Sequence, residues 1–251
     1  MTLLTKVHTA HRFNQIDDAL QLMLEDLDVE VKIIGTTPGK WVQVSLSGAD
    51  KGIATRYLAK EVGFCPSIFG NFAKFSTLKG YIVPLQKNME ELKVDIGVFQ
   101  PKTVFASIQL SHLQTELVEG RKASLRKLSE LYGFCGGCPV NIMVTNVNGE
   151  TSRIDAELST WEVEKYRLWR EALLDRLLVL GVVFRQVEGA LEYAKLDRDV
   201  ISVEPLGVFE HVITCKLGTD AAGLIPKIGR IMKKAKFALF NPRRIIKFLR
   251  V

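Results

Sequence analysis

Residues 79–159 constrain the fold most, because short strand patterns follow one another there. Apolar and polar residues alternate in GYIVPLQ, LKVDIGV and FASIQL, as is typical of half-buried strands. A longer segment, PVNIMVTNVNGETSRIDAELS, has Asn148-Gly149 between two alternating runs, which is a strong hairpin signal. Residues 121–138 interrupt this pattern with a helical one. Five short strands with one helical insertion predict a small β-barrel over residues 76–160.

The first 70 residues have a different pattern, in which a strand, a helix, two strands and a second helix follow in turn. Ile16, Leu20 and Leu24 form one apolar stripe of the first helix, and Pro38-Gly39 supplies the turn between the two later strands. The order β-α-β-β-α is most of a ferredoxin-like unit, a fold that serves many functions. We therefore predict a ferredoxin-like N-terminal domain over residues 1–70.

Residues 161–251 mix helices and strands and form a predicted α/β domain. A long helix begins with Ser159 or Thr160 as its N-cap and continues, with a buried face, to Leu177. A second helix at FRQVEGALEYA and strands at DVISVEP and VFEHVITCKL follow. Pro226 fits best as the first residue of a further helix that runs to about Lys236, because proline lacks the N–H that an interior helical position donates.

The central stretch carries several residues of a known pattern. Gly80 opens its first strand, Val94-Asp95-Ile96-Gly97 form a characteristic step in the second, and the run ASIQLSHL, residues 106–113, occupies the third. The last hairpin carries the matching residues Ile142, Val144, Val147, Asn148, Arg153-Ile154 and Leu158-Ser159. In these features the stretch resembles an S1-type OB barrel, a nucleic-acid-binding module of translation and RNA decay.

This resemblance implies a nucleic-acid partner, although two positions differ from the usual S1 pattern. Lys93 stands where a stacking aromatic ring is usual, and Gln109 stands where a histidine is usual. A barrel of this kind is expected to recognise charge and shape more than bases, because stacking needs a planar ring. Over its full length the sequence also resembles a conserved archaeal protein family of unknown function, which implies a cytosolic archaeal protein and supplies no catalytic residues.

Charge is distributed unevenly along the chain. Residues 221–251 contain nine basic residues and no acidic one, whereas residues 1–220 contain 25 basic and 28 acidic residues. A solvated helix face usually mixes charges of both signs, so an unrelieved cationic end predicts a polyanion-binding surface, with RNA favoured by the S1 resemblance. Within the helix predicted from Pro226, the residues Lys227, Arg230 and Lys234 would share one stripe. Arg243 and Arg244 are expected near this stripe, because Pro242 before them limits the freedom of the backbone. The predicted RNA-binding residues are Lys227, Arg230, Lys233, Lys234, Lys236, Arg243, Arg244, Lys247, Lys79 and Lys93.

The sequence GFCGGCP offers an alternative function. Cys135 and Cys138 have the spacing of a redox dithiol or of half a zinc site, so they are the candidate metal ligands if a metal is bound. The motif follows a helix and precedes a strand. In thioredoxin-like enzymes such thiols lie at the N-terminus of a helix, which activates them, and this activation is missing here. Cys65 and Cys215 are isolated in the sequence, and no spaced pair of histidines supplies further ligands. A glycine-rich turn with passive thiols is the simpler interpretation.

No catalytic set is evident elsewhere. The loop GTDAAGLIPKIG resembles a phosphate-binding loop only in outline, because it lacks the Walker spacing and the Lys-Ser/Thr pair, and Asp220 fits best as a capping residue. The longest apolar run, LLVLGVVF, is too short to cross a bilayer, and the N-terminus has no signal-peptide core. No membrane partner is therefore expected, and the predicted location is the cytoplasm.

Together these features predict an α+β protein with a ferredoxin-like N-terminal domain, an S1/OB-like barrel and a basic α/β C-terminal domain. The favoured function is non-enzymatic RNA binding, without a cofactor, in association with ribosomes or another translation or RNA-processing complex. A thiol-redox enzyme or zinc protein that uses the CGGC motif is one alternative. A protein-assembly adaptor with an acidic partner is another.

Overall fold

The N-terminal part of the chain is a three-stranded antiparallel sheet with two helices. A computed structural model of the protein describes residues 1–7, 10–86 and 89–250, and of residues 10–12 it describes the backbone only. The strands pair in the order β1-β3-β2, and the predicted order of elements is confirmed. Leu20 and Leu58, one from each helix, pack on Val44 of the central strand in one apolar core. The elements are β1 (Thr2–Lys6), α1 (Ala10–Met23), β2 (Glu30–Thr36), β3 (Trp41–Ser47) and α2 (Lys51–Glu61).

The central part is a closed five-stranded barrel, as predicted. A short strand precedes it and pairs in parallel with its second strand. The barrel closes in the order β5-β6-β7-β9-β8-β5, in which only the β7–β9 pair is parallel. This Greek-key order is that of an OB fold. The strands are β4 (Ser67–Ile68), β5 (Thr77–Ile82), β6 (Glu91–Gln100), β7 (Val104–Gln109), β8 (Pro139–Asn148) and β9 (Arg153–Leu158).

Two helices, α3 (Leu110–Val118) and α4 (Leu125–Tyr132), separate β7 from β8. The predicted helical insertion at 121–138 is therefore present, but it begins earlier than predicted. Ser111, His112 and Leu113, which the S1 pattern assigned to the third strand, lie in α3. The strand ends at Gln109 because Leu113 and Leu117, four residues apart, bury the apolar side of α3 against the barrel core.

The C-terminal part has a four-stranded antiparallel sheet in the order β11-β12-β10-β13. Ser159 is the N-cap of the helix before it, since its hydroxyl accepts a hydrogen bond from the backbone N–H of Glu162. That helix ends at Glu171, so the predicted continuation to Leu177 is wrong, and RLLVL forms a fully buried strand instead. The elements are α5 (Thr160–Glu171), β10 (Arg176–Leu180), α6 (Phe184–Tyr193), β11 (Val200–Pro205), β12 (Glu210–Cys215), α7 (Ala221–Ile228), β13 (Lys236–Phe240) and α8 (Pro242–Arg250).

The last α-helix before β13 also differs from its prediction. Helix α7 begins after Asp220, whose carboxylate accepts a hydrogen bond from the backbone N–H of Ala222, and it ends at Ile228. Pro226 lies inside this helix, so the helix predicted from Pro226 to about Lys236 is wrong. Residues 229–235 form turns, and Lys236 begins β13.

The two faces of the C-terminal sheet pack against different elements. Leu177 and Val179 of β10 face a core that α6 and α7 cover. Leu178 and Leu180 point to the opposite face and join the core of the barrel, together with side chains of α4, α5 and α8. Helices α7 and α8 therefore lie on opposite sides of this sheet, which determines where the basic residues of the tail are presented.

Candidate nucleic-acid interface

The N-terminal part of the chain covers half of the face on which OB barrels usually bind ligands. That face is formed by the second and third barrel strands, here β6 and β7. Asp95 of β6 pairs with Lys6, and the hydroxyl of Tyr81 on β5 donates a hydrogen bond to the backbone carbonyl of Leu4 over 3.0 Å. Cys65 packs directly on Gly97 of β6. This half of the face is an internal contact and cannot receive a strand of RNA.

The exposed half of the same face carries paired charges. Lys93 Nζ lies 3.8 Å from an oxygen of Glu91, whose other oxygen lies 3.3 Å from the guanidinium of Arg153. Gln109 donates to that second oxygen of Glu91 over 3.3 Å, and Arg153 also pairs with Asp155. Charges that neutralise one another leave little net potential for phosphates. Lys93 and Gln109 thus lie together on the expected strands, but in a balanced ionic network.

Acidic side chains extend this region of the barrel. Glu116 of α3 faces Glu157 of β9, and one carboxylate oxygen of Glu116 is buried without a hydrogen-bond partner among the described residues. Burial, followed by the negative charge of Glu157, raises the pKa of Glu116 to about 7. These two carboxyl groups supply no positive charge on this side of the barrel, so they do not extend an RNA-binding face.

Replacing Glu116 with glutamine is expected to stabilise the protein at pH 8. The pKa of the carboxyl group is higher in the folded state than the ordinary value of 4.5, so ionisation destabilises the fold as the pH rises from about 4.5 to about 7. Allowing for its partial exposure, the gain in the free energy of unfolding should be about 1–2 kcal/mol at pH 8 and near zero at pH 4. Urea denaturation at both pH values measures this gain, and Glu130→Gln is an exposed control. An equal gain at both pH values would show that ionisation of Glu116 is not its cause.

Lys79 is not part of an exposed cationic surface. It lies half-buried on β5, where burial lowers the pKa of its ammonium group and the nearby Glu210 opposes that shift. Its surroundings also include Lys165 and Glu162 of α5. Its predicted contact with RNA therefore has no support from its position.

Helix α8 presents the most regular array of cations in the described part of the chain. Ile245, Phe248 and Leu249 pack inward on the shared core, which turns the opposite side of the helix to solvent. Arg243, Lys247 and Arg250 are spaced by four and three residues, so they share one exposed stripe, and Arg244 lies beside it. Lys127 of α4 joins them, with its Nζ 5.9 Å from the centre of the Phe248 ring. We call this array the α8 surface, which consists of Lys127, Arg243, Arg244, Lys247 and Arg250.

A second array lies around the end of α7. Lys227 is on the helix, and Arg230, Lys233 and Lys234 are on the turns that follow it, so the predicted stripe on one helix is wrong. The array lies on the other side of the sheet from α8, which also corrects the expectation that Arg243 and Arg244 lie near this stripe. We call it the α7 surface, which consists of Lys227, Arg230, Lys233 and Lys234. The remaining predicted residue, Lys236, is exposed on the edge strand β13 near Cys135.

The cations of both surfaces share a lack of ion pairs. All nine basic residues after position 220 are exposed, and none forms an ion pair with any residue in the described ranges 1–7, 10–86 and 89–250. Outside the tail, nine cations pair within the chain, namely Lys6, Lys32, Lys60, Lys93, Arg126, Arg153, Lys165, Arg167 and Arg170, whereas others, such as Lys51 and Lys102, have no ion pair with a described residue. The tail differs in that no acidic residue is interspersed among its cations. The tail therefore presents positive charge that no described carboxylate pairs with.

The CGGC segment is a turn between α4 and β8, as the sequence indicated. Burial raises the pKa of Cys135 to about 11, and it raises the pKa of the fully buried Cys138 well above its ordinary value. Reactive thiols need the opposite shift. Within the described residues, no group of three or more His, Cys, Asp and Glu side chains is arranged to hold a metal ion.

Thiol reactivity should follow these pKa values. At pH 8 we expect all four cysteines of the native protein to react slowly with a disulfide reagent, because burial also raises the pKa of Cys65 and Cys215. In denaturant all four should react rapidly and equally. The measurement is a thiol titration from pH 6 to 9 with and without denaturant, and one native thiol that titrates near pH 7 would restore the redox alternative.

The described part of the chain contains no helix that is both long and apolar enough to cross a membrane.

Comparisons with solved structures find likenesses of low similarity. GSP13 from Bacillus subtilis matches with 16% identity and a TM-score of 0.26 over 35% of this chain and 55% of that chain, so only about half of that protein is spanned. The K3L protein from vaccinia virus matches with 18% identity and a TM-score of 0.24, over 35% of this chain and 89% of that one. The intact alpha subunit of aIF2 from Pyrococcus abyssi matches with 10% identity and a TM-score of 0.26, over 68% of this chain and 97% of that one. At these scores the likenesses carry no argument about this chain.

Sequence comparison is more informative. No curated protein matches the chain significantly. Two family models do match, the DUF2110 N-terminal domain at residues 1–68 and the DUF2110 C-terminal domain at residues 174–240. Together they cover more than half of the 251 residues, and the OB-like barrel lies between them. The chain therefore belongs to the DUF2110 family.

Proposed function

We propose that this protein binds RNA without catalysing a reaction, through the phosphate backbone and the cations of residues 227–250. The observation that carries the proposal is the set of nine exposed cations that have no ion pair with any described residue. Exposed, unpaired ammonium and guanidinium groups on a packed scaffold are what phosphate binding requires. The α8 surface is the primary contact, because its cations share one side of a helix that the core holds in place.

The OB-like barrel supports RNA over other polyanions but is not assigned the main contact. Its usual ligand face is half covered by the N-terminal part, and the rest carries paired charges. Contacts should therefore depend on phosphate geometry and not on base identity. On the S1 resemblance, the proposal extends to a component of a ribosomal or RNA-processing complex. On the full-length resemblance to a conserved archaeal family, it extends to a cytoplasmic archaeal protein.

Purification of the tagged full-length protein from a native lysate, with and without ribonuclease, tests this function. We expect RNA to co-purify, and any associated proteins to be released by the nuclease. An acidic protein that stays bound after nuclease treatment, with no RNA recovered, would instead support the adaptor alternative, because the same cations could bind carboxylates.

A further inference from the structure

A groove of about 440 Å³ lies between the N-terminal part of the chain and the C-terminal sheet. Gln15 of α1 forms one wall, Gln186 and Gly189 of α6 form another, and Lys233 and Lys234 of the α7 surface stand at its edge. Its volume falls within the range of small-molecule sites, which often lie where two packed units meet. Among the described residues that line it, Lys233 and Lys234 carry charge and none is acidic.

The walls of the groove are held in place by packing. Val183, which precedes α6, and Phe209, which precedes β12, pack on the N-terminal core that also contains Ile16 of α1. On the other side, the buried Met232 anchors the turn that carries the two lysines, and its backbone N–H donates to the carbonyl of Ile228 over 2.9 Å. The backbone around the groove is therefore held in place without a ligand, and binding has to order only the exposed lysine side chains.

Gly189 lies in the wall of the groove and leaves room there for a larger side chain. It lies in the middle of α6, where glycine costs about 1 kcal/mol relative to alanine. A Cβ at this position would meet no atom within 4 Å, so close packing does not explain the glycine. The absence of a side chain instead leaves the groove unobstructed along one face of α6, which Gln186, Gly189 and Ala190 share.

The lining combines three kinds of chemistry. Lys233 and Lys234 supply ammonium groups for a phosphate. The amides of Gln15 and Gln186 can donate to and accept from the edge of a base, and the carbonyl oxygen of Gln186 makes only a long contact of 3.4 Å with the backbone N–H of Val183. Val182 and the partly exposed Ile231 add apolar surface for a flat ring. We infer that the groove binds a nucleoside phosphate, with its phosphate at the lysines and its base between the two glutamines.

The nucleoside phosphate could be a free nucleotide or one residue of an RNA chain, and only the second source rests on the proposed function. Calorimetric titrations with adenosine 5′-monophosphate, uridine 5′-monophosphate, inorganic phosphate and adenosine separate the contributions of phosphate and base. A parallel titration with an unstructured RNA octamer distinguishes the sources. Tighter binding of the octamer than of either mononucleotide, with weakening of both in the groove variants, identifies RNA as the source, and the octamer keeps its contacts with the α8 surface.

Two variants test the groove by different routes. Gly189→Leu fills the space without changing charge or straining the helix, and Lys233→Ala with Lys234→Ala removes the phosphate contacts. Each should weaken mononucleotide binding at least about tenfold. The control Lys51→Ala with Lys102→Ala, which replaces two exposed lysines outside the groove and outside both cationic surfaces, should leave it unchanged. Gln186→Ala should weaken the nucleotides and leave inorganic phosphate unaffected. Circular dichroism checks that each variant is folded.

Failure of this inference can be distinguished from failure of the proposed function. If RNA binds but neither mononucleotide does, or if both groove variants bind mononucleotides as the wild type does, the inference is wrong and the proposed function stands. If mononucleotides bind in the groove and RNA does not bind anywhere, the inference holds and the proposed function is wrong.

Discussion

Replacing Arg243, Arg244 and Lys247 together with glutamate is expected to weaken binding of single-stranded RNA roughly 100-fold at low salt, which corresponds to about 2.7 kcal/mol. The three side chains belong to the α8 surface and are exposed, so the change removes three phosphate contacts and adds three repulsive charges. Each lost contact should also reduce the log–log salt dependence by about 0.7. The slope should therefore become flatter by about 2, as measured by fluorescence anisotropy at several salt concentrations.

A matched control separates local contacts from net charge. Lys51, Lys74 and Lys102 are exposed lysines outside the tail that, like its cations, form no ion pair with a described residue. Their replacement by glutamate changes the net charge by the same amount. This control should lower affinity only a few-fold, because salt screens the interaction between RNA and charges that lie more than about 10 Å from it. If both triple variants lose affinity equally, binding depends on overall charge and the α8 surface has no special role.

Replacing Gly97 with alanine should destabilise the protein by about 3 kcal/mol. Gly97 has a φ of +81°, a left-handed conformation that costs alanine about 1–2 kcal/mol. Its new Cβ would also lie 2.5 Å from the Sγ and 3.2 Å from the Cα of Cys65, and relief of such an overlap costs about 1–3 kcal/mol. Because Cys65 belongs to the segment that covers β6, the substitution should loosen the contact between the N-terminal part and the barrel.

Gly149→Ala is the control for this prediction, because a Cβ at that turn meets no atom within 4 Å and its φ is not positive. Urea denaturation of both variants measures the difference. A loss of less than about 1 kcal/mol for Gly97→Ala would mean that the Cys65 segment moves aside easily.

The barrel could be predicted from the sequence because its strands carry local signals. The alternation along β6 and β7 and the turn signal of Asn148-Gly149 predict strands without knowledge of their neighbours. In the structure Asn148 is the last residue of β8, and the turn spans residues 149–152. Strand β10 could not be distinguished from a helix in the same way. Its five residues, RLLVL, are all buried, so the strand shows no alternation that periodicity could detect.

The error at α7 has a different cause. Proline lacks an amide hydrogen wherever it occurs. A helix that begins at Pro226 accommodates this most simply, because the first residue of a helix donates no intrahelical hydrogen bond. The structure places Pro226 in the second turn of an eight-residue helix that begins after Asp220, where the missing donor removes a single hydrogen bond. The capping carboxylate of Asp220 was the better signal for the start of this helix.

The candidate site was partly predictable. The excess of basic residues is evident from composition, but composition does not show that α7 and α8 lie on opposite faces of one sheet. That arrangement depends on alternate residues of β10 facing different cores. The position of Lys127 beside α8 and the covering of β6 by the N-terminal part likewise depend on contacts between residues far apart in the chain. Local sequence patterns do not encode such contacts.

The central claim is that unpaired cations of the tail bind the phosphates of RNA, and the salt dependence of binding by the unmodified protein tests it most directly. The measurement is the affinity for an unstructured single-stranded RNA between about 50 and 200 mM potassium chloride. Four contacts from Arg243, Arg244, Lys247 and Arg250 predict a log–log slope of about −3, with similar values for RNAs of different sequence. Undetectable binding at the lowest salt, or a slope near zero, would contradict the claim.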